Sequence, residues 1–298
     1  MKDFLDQLNP PIITEELISD CRKDSDFRPI LFEHYKYTGI LANILASFSL
    51  DSPAVRKIPK IHYAVLTGLL NRCSRLILSN IHLSQGGLFG ETTLIIDRCI
   101  FESAIKIEWL TSDLESEKFN RYLADGLKTD IEFKKEIEAS IKKRGGGILQ
   151  IENRMLQSIN RRISHSGMTE TEILNTKKVP NTASIIELIG KTRLYYVIGQ
   201  RIGSHHVHGT WQSLLMHYLE EIDDNYILRD HNCSTHINQF FYIETVVLNA
   251  LISFSKYIFE QENEAKIFTN LISQVIEDIK VFENEIVGED FNFETAEK

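Results

Sequence analysis

Residues 61–83 read IHYAVLTGLLNRCSRLILSNIHL and form the clearest periodic segment of the chain. Their apolar residues recur four or seven positions apart, which places them on one face of an α-helix. Gln85-Gly86-Gly87 then breaks the pattern, and a second periodic helix is predicted over residues 88–110. Two amphipathic helices joined by a short turn indicate a helical bundle. The apolar positions behind this prediction are Val65, Leu69, Leu76 and Leu83 in the first helix, and Leu94, Ile95, Cys99, Ile105 and Trp109 in the second.

The same periodicity extends in both directions from this pair of helices. A polar stretch over residues 166–180 lacks it and predicts a surface loop, and residues 223–232 predict an acidic connection. No convincing alternation of a β-strand is found, so the sequence predicts an all-α, multi-helix bundle. Further helices are predicted at residues 14–22, 28–48, 115–144, 148–164, 192–206, 210–221, 233–261 and 264–287. The predicted segments are a helical extension (1–60), a helical core (61–222) and a helical hairpin packed on that core (223–298).

Composition excludes several classes of protein. The apolar fraction of 43% supports a continuous core, and the start of the chain, MKDFLDQLNPP, lacks the basic and apolar parts of a signal peptide. Polar and charged residues interrupt the apolar stretch 242–259, which predicts a core helix and no membrane span. The cysteines form no C-x-x-C pair, which disfavours a zinc ribbon and a disulfide framework and predicts buried thiols in a reducing cytoplasm. They are Cys21, Cys73, Cys99 and Cys233.

Charge is distributed unevenly along the chain. The formal net charge is -9, yet residues 128–201 contain 14 basic and 8 acidic residues, a local +6 that leaves -15 for the remainder. This asymmetry is compatible with an anionic ligand at the middle of the chain. Solvated lysines on helix surfaces are the more common cause of such a bias.

The densest group of reactive side chains lies in YYVIGQRIGSHHVHGTW, residues 195–211. Arg201, Ser204 and His208 are spaced i, i+3, i+7 and would share one face of a continuous helix. A guanidinium offers forked donors to phosphate oxygens, and an imidazole exchanges protons near neutral pH, so the pair suits chemistry at a phosphodiester. His206 is the alternative histidine, but it would be rotated from Arg201 by about 140° on an ideal helix, which favours His208.

The spacing Arg201-x6-His208 resembles the R-x4-6-H motif of the HEPN superfamily, whose members are helical bundles found in ribonuclease toxins and antiviral nucleases. Ile202 departs from this motif, which usually has a polar residue directly after the arginine. A wider pattern resembles an uncharacterised bacterial domain family associated with the same superfamily, over about residues 60–220. It consists of Arg98-x3-Glu102, Trp109-Leu110 and Tyr196-x4-Arg201-x2-Ser204-x3-His208-Gly209.

The resemblance implies a HEPN-like core and a cytoplasmic, metal-independent endoribonuclease in bacterial antiviral defence or a toxin–antitoxin system. His208 would act as general acid or base and Arg201 would stabilise the charged transition state, with no cofactor. Use of the ribose 2′-hydroxyl makes RNA the substrate. The superfamily often builds its site from two copies, which implies a homodimer, and a regulatory protein partner is also expected. Supporting positions are Ser204, His205, His206, Arg98 and Glu102. Independently of the resemblance, Arg161 and Arg162 form a basic pair that offers phosphate contacts, and a solvated helix end is the alternative interpretation.

Three other interpretations of these residues stay open. Arg201 and His208 are structural if the arginine pairs with a carboxylate such as Glu102 and the histidine caps the helix after Gly209. The chain would then be a catalytically inactive module that binds a partner protein or a nucleotide. Metal binding is disfavoured because adjacent histidines diverge on a helix and no H-E-x-x-H pair is present. The histidines considered for it are His205, His206, His208 and His217.

Overall fold

The computed structural model describes residues 8–86, 88–229 and 233–287, and it confirms the predicted all-α fold. Within these residues, no helix is long and apolar enough to cross a membrane. The elements are α1 (Glu15–Asp24), α2 (Arg28–Ala46), α3 (Lys60–Ser84), α4 (Gly90–Leu110), α5 (Glu117–Lys143), α6 (Gln150–Ser166), α7 (Glu170–Asn175), α8 (Thr182–Leu188), α9 (Arg193–Tyr196), a π-helical turn (Val197–Ile202), α10 (Gly203–Val207), α11 (Trp211–His217), β1 (Leu219–Ile222), β2 (Asn225–Leu228), α12 (Ile237–Ile258) and α13 (Glu262–Val287).

The chain forms two compact units. The first contains the described residues up to Ser112 and from Thr182 onward, and the second is Asp113–Asn181. These units differ from the three segments predicted from the sequence, because α12 packs on α2, α3 and α4 as well as on its neighbour α13. Helices α2 and α12 therefore share one core with α3 and α4.

Helix α12 lies at the centre of the first unit. Its side chains are buried on most sides, as expected for a helix that contacts four others. Each large apolar side chain removed from water in this way contributes about 1.5–3 kcal/mol of transfer free energy. The predicted core helix over residues 242–259 is thus confirmed. Its buried apolar residues are Phe240, Phe241, Ile243, Val246, Val247, Leu248, Ala250, Leu251, Phe254, Tyr257 and Ile258.

Helix α3 is present as predicted, but its buried face is rotated relative to the expected one. Of the predicted positions, Leu69 is buried, whereas Val65 and Leu76 are only half-buried. The most deeply buried apolar positions lie one residue further along the chain. The reason is that α3 packs on both α2 and α4, so two faces compete for the core. These fully buried positions are Leu66, Leu70, Cys73 and Ile77.

The second unit is a cluster of α5, α6 and α7. The predicted surface loop over residues 166–180 is wrong in part, because α7 lies within it. Thr169 accepts from the backbone N–H of Glu172, and the Glu172 carboxylate accepts from the N–H of Thr169 at 2.7 Å. This T-x-x-E capping box is a sequence signal that the lack of periodicity concealed. The buried apolar residues are Ala124, Leu127, Ile131, Ile137, Ile159, Ile163 and Ile173.

Residues 193–217, here called the motif segment, depart most from expectation. The single helix predicted over 192–206 is divided into α9, the π-helical turn and α10. The next predicted helix ends at His217, where an antiparallel hairpin of β1 and β2 begins. Asp223 and Asp224 both have positive φ (50° and 61°), a backbone that suits the turn of a two-residue hairpin and that aspartate tolerates. The predicted acidic connection is therefore partly a β-hairpin.

Candidate functional site

The motif segment docks on α4 through two glycines four residues apart. A Cβ at Gly199 would lie 2.2 Å from a ring carbon of Phe101, and one at Gly203 would lie 3.0 Å from the Cβ of Arg98. Because any side chain at Gly199 would collide with a buried aromatic ring, the close approach depends on glycine. The G-x3-G spacing in the sequence is a signal for this contact, and it positions every neighbouring side chain.

A polar network lies beside this glycine contact. Arg98 Nε donates to Glu102 Oε1 at 3.1 Å, and Arg98 Nη1 donates to Ser204 Oγ at 3.2 Å. Gln200 Nε2 donates to the same Glu102 oxygen at 2.9 Å. The structure thus brings together the predicted supporting residues Arg98, Glu102 and Ser204 and adds Gln200. Each side of the network contributes one i, i+4 pair. Arg98 and Glu102 lie on α4, and Gln200 and Ser204 lie on the motif segment, so the network links the segment to α4.

Arg201 and His208 lie on the other side of the segment, exposed to solvent. Within the described parts of the chain, neither side chain has a hydrogen-bond or ion-pair partner. Glu102, the carboxylate considered for Arg201, is bound by Arg98 and Gln200 instead. Both residues are therefore available to an external ligand.

The three residues expected on one helical face are divided between two environments. The Ser204 side chain turns toward Arg98 on α4, whereas Arg201 and His208 are exposed. The π-helical turn, which ends at Ile202, widens the helix before Arg201, and His208 is the first residue after α10. The expectation of one continuous α-helical face is therefore wrong for Ser204.

His205 supports the start of α11. Its Nδ1 lies 3.0 Å from Oγ1 of Thr210, the residue that precedes the first turn of that helix. The structural interpretation assigned this capping role to His208. In the structure, no side chain among the described residues caps the backbone N–H groups of α11; His205 contacts the Thr210 hydroxyl, and His208 lies in solvent.

His206 points into the protein. It is 8% exposed, and its Nδ1 lies 3.1 Å from Ser213 Oγ. Burial, together with the neighbouring His217 and His205, lowers the pKa of His206 to about 4. The ring is therefore neutral at physiological pH and enclosed. Of the two histidines at permissive spacing from Arg201, His208 is the one that a substrate can reach.

The predicted phosphate contacts Arg161 and Arg162 lie in the second unit, on α6. Arg162 forms a two-pronged ion pair with Asp130, with nitrogen–oxygen distances of 2.6 and 2.8 Å. Arg161 is exposed and has no partner within the described residues. Arg161 is thus the more accessible of the two for an anion.

The four histidines considered for a metal do not converge. His205 contacts Thr210, His208 is exposed, and His206 and His217 lie with ring centroids 4.9 Å apart. In the described part of the chain, potential metal-ligand atoms do come together in one group of three residues, which are Glu91, His217 and Cys233. His217 is thus the histidine from that set that a metal site would use.

Comparison with known proteins gives one match. No curated protein and no solved structure matches the chain. A family model described as a family of unknown function, DUF5677, matches residues 63–226, more than half of the chain. The matched region includes α4 and the whole motif segment, so the polar network and both exposed residues fall inside it. The chain belongs to the DUF5677 family.

Proposed function

We propose that this protein is a metal-independent endoribonuclease of the HEPN type, with Arg201 and His208 at its catalytic site. The observation that carries the proposal is that a guanidinium and an imidazole seven residues apart are both exposed, with no internal partner among the described residues. Structural arginines and histidines of a helix are normally satisfied by neighbours, as Arg98 and His206 are here. Exposure makes Arg201 and His208 accessible to a substrate, and the wider pattern Tyr196-x4-Arg201-x2-Ser204-x3-His208-Gly209 distinguishes them from Arg75 and His82, which are exposed on α3 with the same spacing.

The proposed reaction is a transesterification within RNA. His208 removes the proton from a ribose 2′-hydroxyl, and the 2′-oxygen forms a bond to the adjacent phosphorus. The bond from phosphorus to the 5′-oxygen of the next nucleotide breaks, and that oxygen takes up a proton from water, while the proton held by His208 is released to solvent. Arg201 donates to the non-bridging oxygens, where negative charge accumulates in the transition state. The products are a 2′,3′-cyclic phosphate and a 5′-hydroxyl.

A second copy of the chain would complete the site. The surface beside His208 is apolar and exposed on α11 and the hairpin: Trp211 is 56% exposed and Tyr226 48%, with their rings 5.6 Å apart. Leu215 and Met216 continue this surface along α11. Exposed apolar patches of this kind mark protein–protein contacts. Dimerisation through this surface would place two Arg201–His208 pairs at one interface. Such a two-copy site is what the HEPN resemblance implies for an effector in defence or toxin systems.

Cleavage is tested by incubating mixed RNA with the full-length protein in chelator and comparing Arg201→Ala and His208→Ala with wild type. Loss of a general acid–base group lowers the rate by about 10²- to 10⁴-fold, so both variants should lose cleavage. Exposed residues of α3 provide matched controls, Arg75→Ala and His82→Ala, which should cleave normally. RNA products that lack 2′,3′-cyclic phosphate ends would contradict the mechanism. Full cleavage activity in either folded variant would contradict it as well.

Self-association is tested separately by light scattering on the wild type and on Trp211→Glu. We expect a dimer that becomes a monomer when a charge is placed on the apolar surface, with cleavage falling in parallel. A wild-type monomer would remove the shared-site part of the proposal.

The second candidate function is a catalytically inactive module that binds a regulatory protein. The same apolar surface on α11 and the hairpin favours it, because such a surface fits another protein better than it fits RNA. A wild-type protein that leaves RNA intact yet forms a Trp211-dependent complex would support this function over the nuclease.

A further inference from the structure

Three distant parts of the chain meet where α4 begins. The backbone N–H of Gly90 donates to the carbonyl of Cys233 at 2.8 Å. A Cβ at Gly90 would lie 2.4 Å from the carbonyl oxygen of Ser234, so this approach requires glycine. The contact places the Cys233 thiol beside the first turn of α4, where its sulfur lies within 4.8 Å of a carboxylate oxygen of Glu91.

The hairpin brings His217 to the same place. After β2 the chain returns to the end of α11, where the N–H of Arg229 donates to the carbonyl of Tyr218 at 3.0 Å. His217 Nδ1 then lies 3.3 Å from Cys233 Sγ. Cysteine and histidine are 16 residues apart in sequence, and Glu91 is more than 120 residues before either. The grouping is therefore a product of the tertiary fold.

The geometry matches the coordination sphere of a small thiophilic cation. One ligand atom from each of Glu91, His217 and Cys233 lies within 4.8 Å of the other two. A tetrahedral zinc ion with bonds of about 2.0–2.3 Å separates its ligand atoms by roughly 3.3–3.8 Å. The sulfur–nitrogen distance of 3.3 Å already lies at that spacing. A small rotation of the Glu91 side chain would bring its carboxylate oxygen to the same spacing from the other two ligand atoms.

One buried atom in the cluster also lacks a partner. His217 Nε2 is enclosed and has no hydrogen bond within the described residues. Nε2 is the other ring nitrogen from Nδ1, which lies beside Cys233 Sγ, and in a metal-binding histidine that second nitrogen usually donates to a carboxylate, a carbonyl or water. The His206 ring packs edge-on against His217 and restricts how that ring can turn.

We propose that Glu91, His217 and Cys233 bind one divalent ion of the zinc class. A thiolate, an imidazole and a carboxylate are ligands that zinc accepts, and the thiolate disfavours magnesium and calcium. Binding replaces the thiol proton of Cys233, which is released to solvent. Three protein ligands leave the fourth tetrahedral position to a water molecule. The ion links the start of α4, the end of α11 and the segment before α12, and the site shares no residue with Arg201 and His208.

Cobalt provides the most direct test, because a cobalt–thiolate bond absorbs in the near ultraviolet and a tetrahedral site absorbs in the visible. Chelator-treated full-length protein is titrated with Co²⁺ under reducing, anaerobic conditions. We expect both absorptions to saturate at one ion per chain and to disappear when Zn²⁺ displaces the cobalt. The thiolate absorption should be lost in Cys233→Ser, and Glu91→Gln and His217→Gln should weaken binding by more than about tenfold.

Matched controls separate this site from other thiols and imidazoles. Cys99→Ser removes a half-buried cysteine on α4, and His82→Gln removes an exposed histidine on α3. Both should keep the wild-type spectrum, and circular dichroism verifies that every variant is folded. A wild-type protein without the thiolate absorption, or a Cys233→Ser variant that retains it, would overturn the proposal. The spectrum is independent of RNA cleavage, so either proposal can fail alone.

Discussion

Helix α4 and the motif segment that packs on it differ in how far their ionisable side chains are exposed to solvent. In α4 and its neighbour α12, Asp97 and Glu244 are enclosed by the bundle, and burial raises the pKa of both, that of Glu244 to about 8. In the motif segment, Arg201 and His208 remain in solvent. The regular helices thus enclose acids whose pKa is raised, and the irregular segment, although it encloses His206, leaves Arg201 and His208 exposed. Chemistry with a substrate is available only to the second set.

The largest expected effect comes from the contact that joins the two regions. Gly199→Ala would place a methyl group 2.2 Å from the Phe101 ring, so we expect a loss of about 3 kcal/mol in the free energy of unfolding of the first unit. Trp109 and Trp211, the two tryptophans of the chain, both lie in that unit, so their fluorescence in urea reports on it alone.

The matched control for that substitution is Gly68→Ala on α3. A Cβ there meets nothing within 4 Å, and alanine in a helix interior stabilises by about 0.5–1 kcal/mol relative to glycine. Equal effects of the two substitutions would show that the glycine contact between α4 and the motif segment is unimportant.

The next effect concerns the buried acids. A carboxyl whose folded pKa is raised stabilises the fold fully below its unfolded pKa, and this contribution is lost as pH rises toward the folded value. For Glu244, with a folded pKa of about 8, the loss between pH 6.5 and 8 is about 2 kcal/mol. The histidines with lowered pKa still oppose this trend just above pH 6.5, but they are unchanged in a Glu244 variant, so the difference between the two proteins isolates Glu244.

Glu244→Gln should therefore flatten the decline in stability between pH 6.5 and 8, while its side-chain oxygen still accepts from Thr38 Oγ1. Urea denaturation at several pH values measures the difference. Identical slopes in both proteins would mean that Glu244 is not protonated in the fold.

A smaller effect is expected from the polar network. Ser204→Ala removes the acceptor for Arg98 Nη1 and should lower stability by about 1 kcal/mol. Hydrogen exchange should increase over residues 197–207 in particular, because the network ties this part of the segment to α4. Uniform exchange across the first unit would argue against a local tethering role.

The smallest effect on stability is expected at the proposed catalytic residues. Arg201→Ala and His208→Ala remove exposed side chains without partners in the described structure, so each should change the free energy of unfolding by less than about 0.5 kcal/mol. A loss above about 1 kcal/mol would indicate that these residues are structural, and would remove the contrast between the motif segment and α4.

Much of the fold could be predicted because amphipathic periodicity is a local property. The spacing of apolar residues in 61–83 predicts a helix whatever it packs against, and the same holds for α5, α6, α12 and α13. The choice of buried face in α3 was less predictable, because α2 and α4 both pack on it. The β-hairpin was missed since its strands are four residues long and mostly exposed.

The candidate site was predictable only in part. Arg201 and His208 stand out by residue type and spacing, and Arg98, Glu102 and Ser204 belong to the same pattern. Gln200 was missed because a lone glutamine carries no chemical signal until the facing helix is known. The sequence likewise could not distinguish an exposed histidine from an enclosed one within His205-His206-Val207-His208.

The sequence alone determined that this chain is a bundle of helices with an arginine and a histidine at a permissive spacing, because helical periodicity and residue chemistry are encoded locally. Only the tertiary structure decided which polar groups are satisfied. It paired Glu102 with Arg98 and Gln200, enclosed His206 against Ser213, and left Arg201 and His208 in solvent. The cause is that pairing and burial depend on neighbours distant in sequence, as the meeting of Glu91 with His217 and Cys233 also shows.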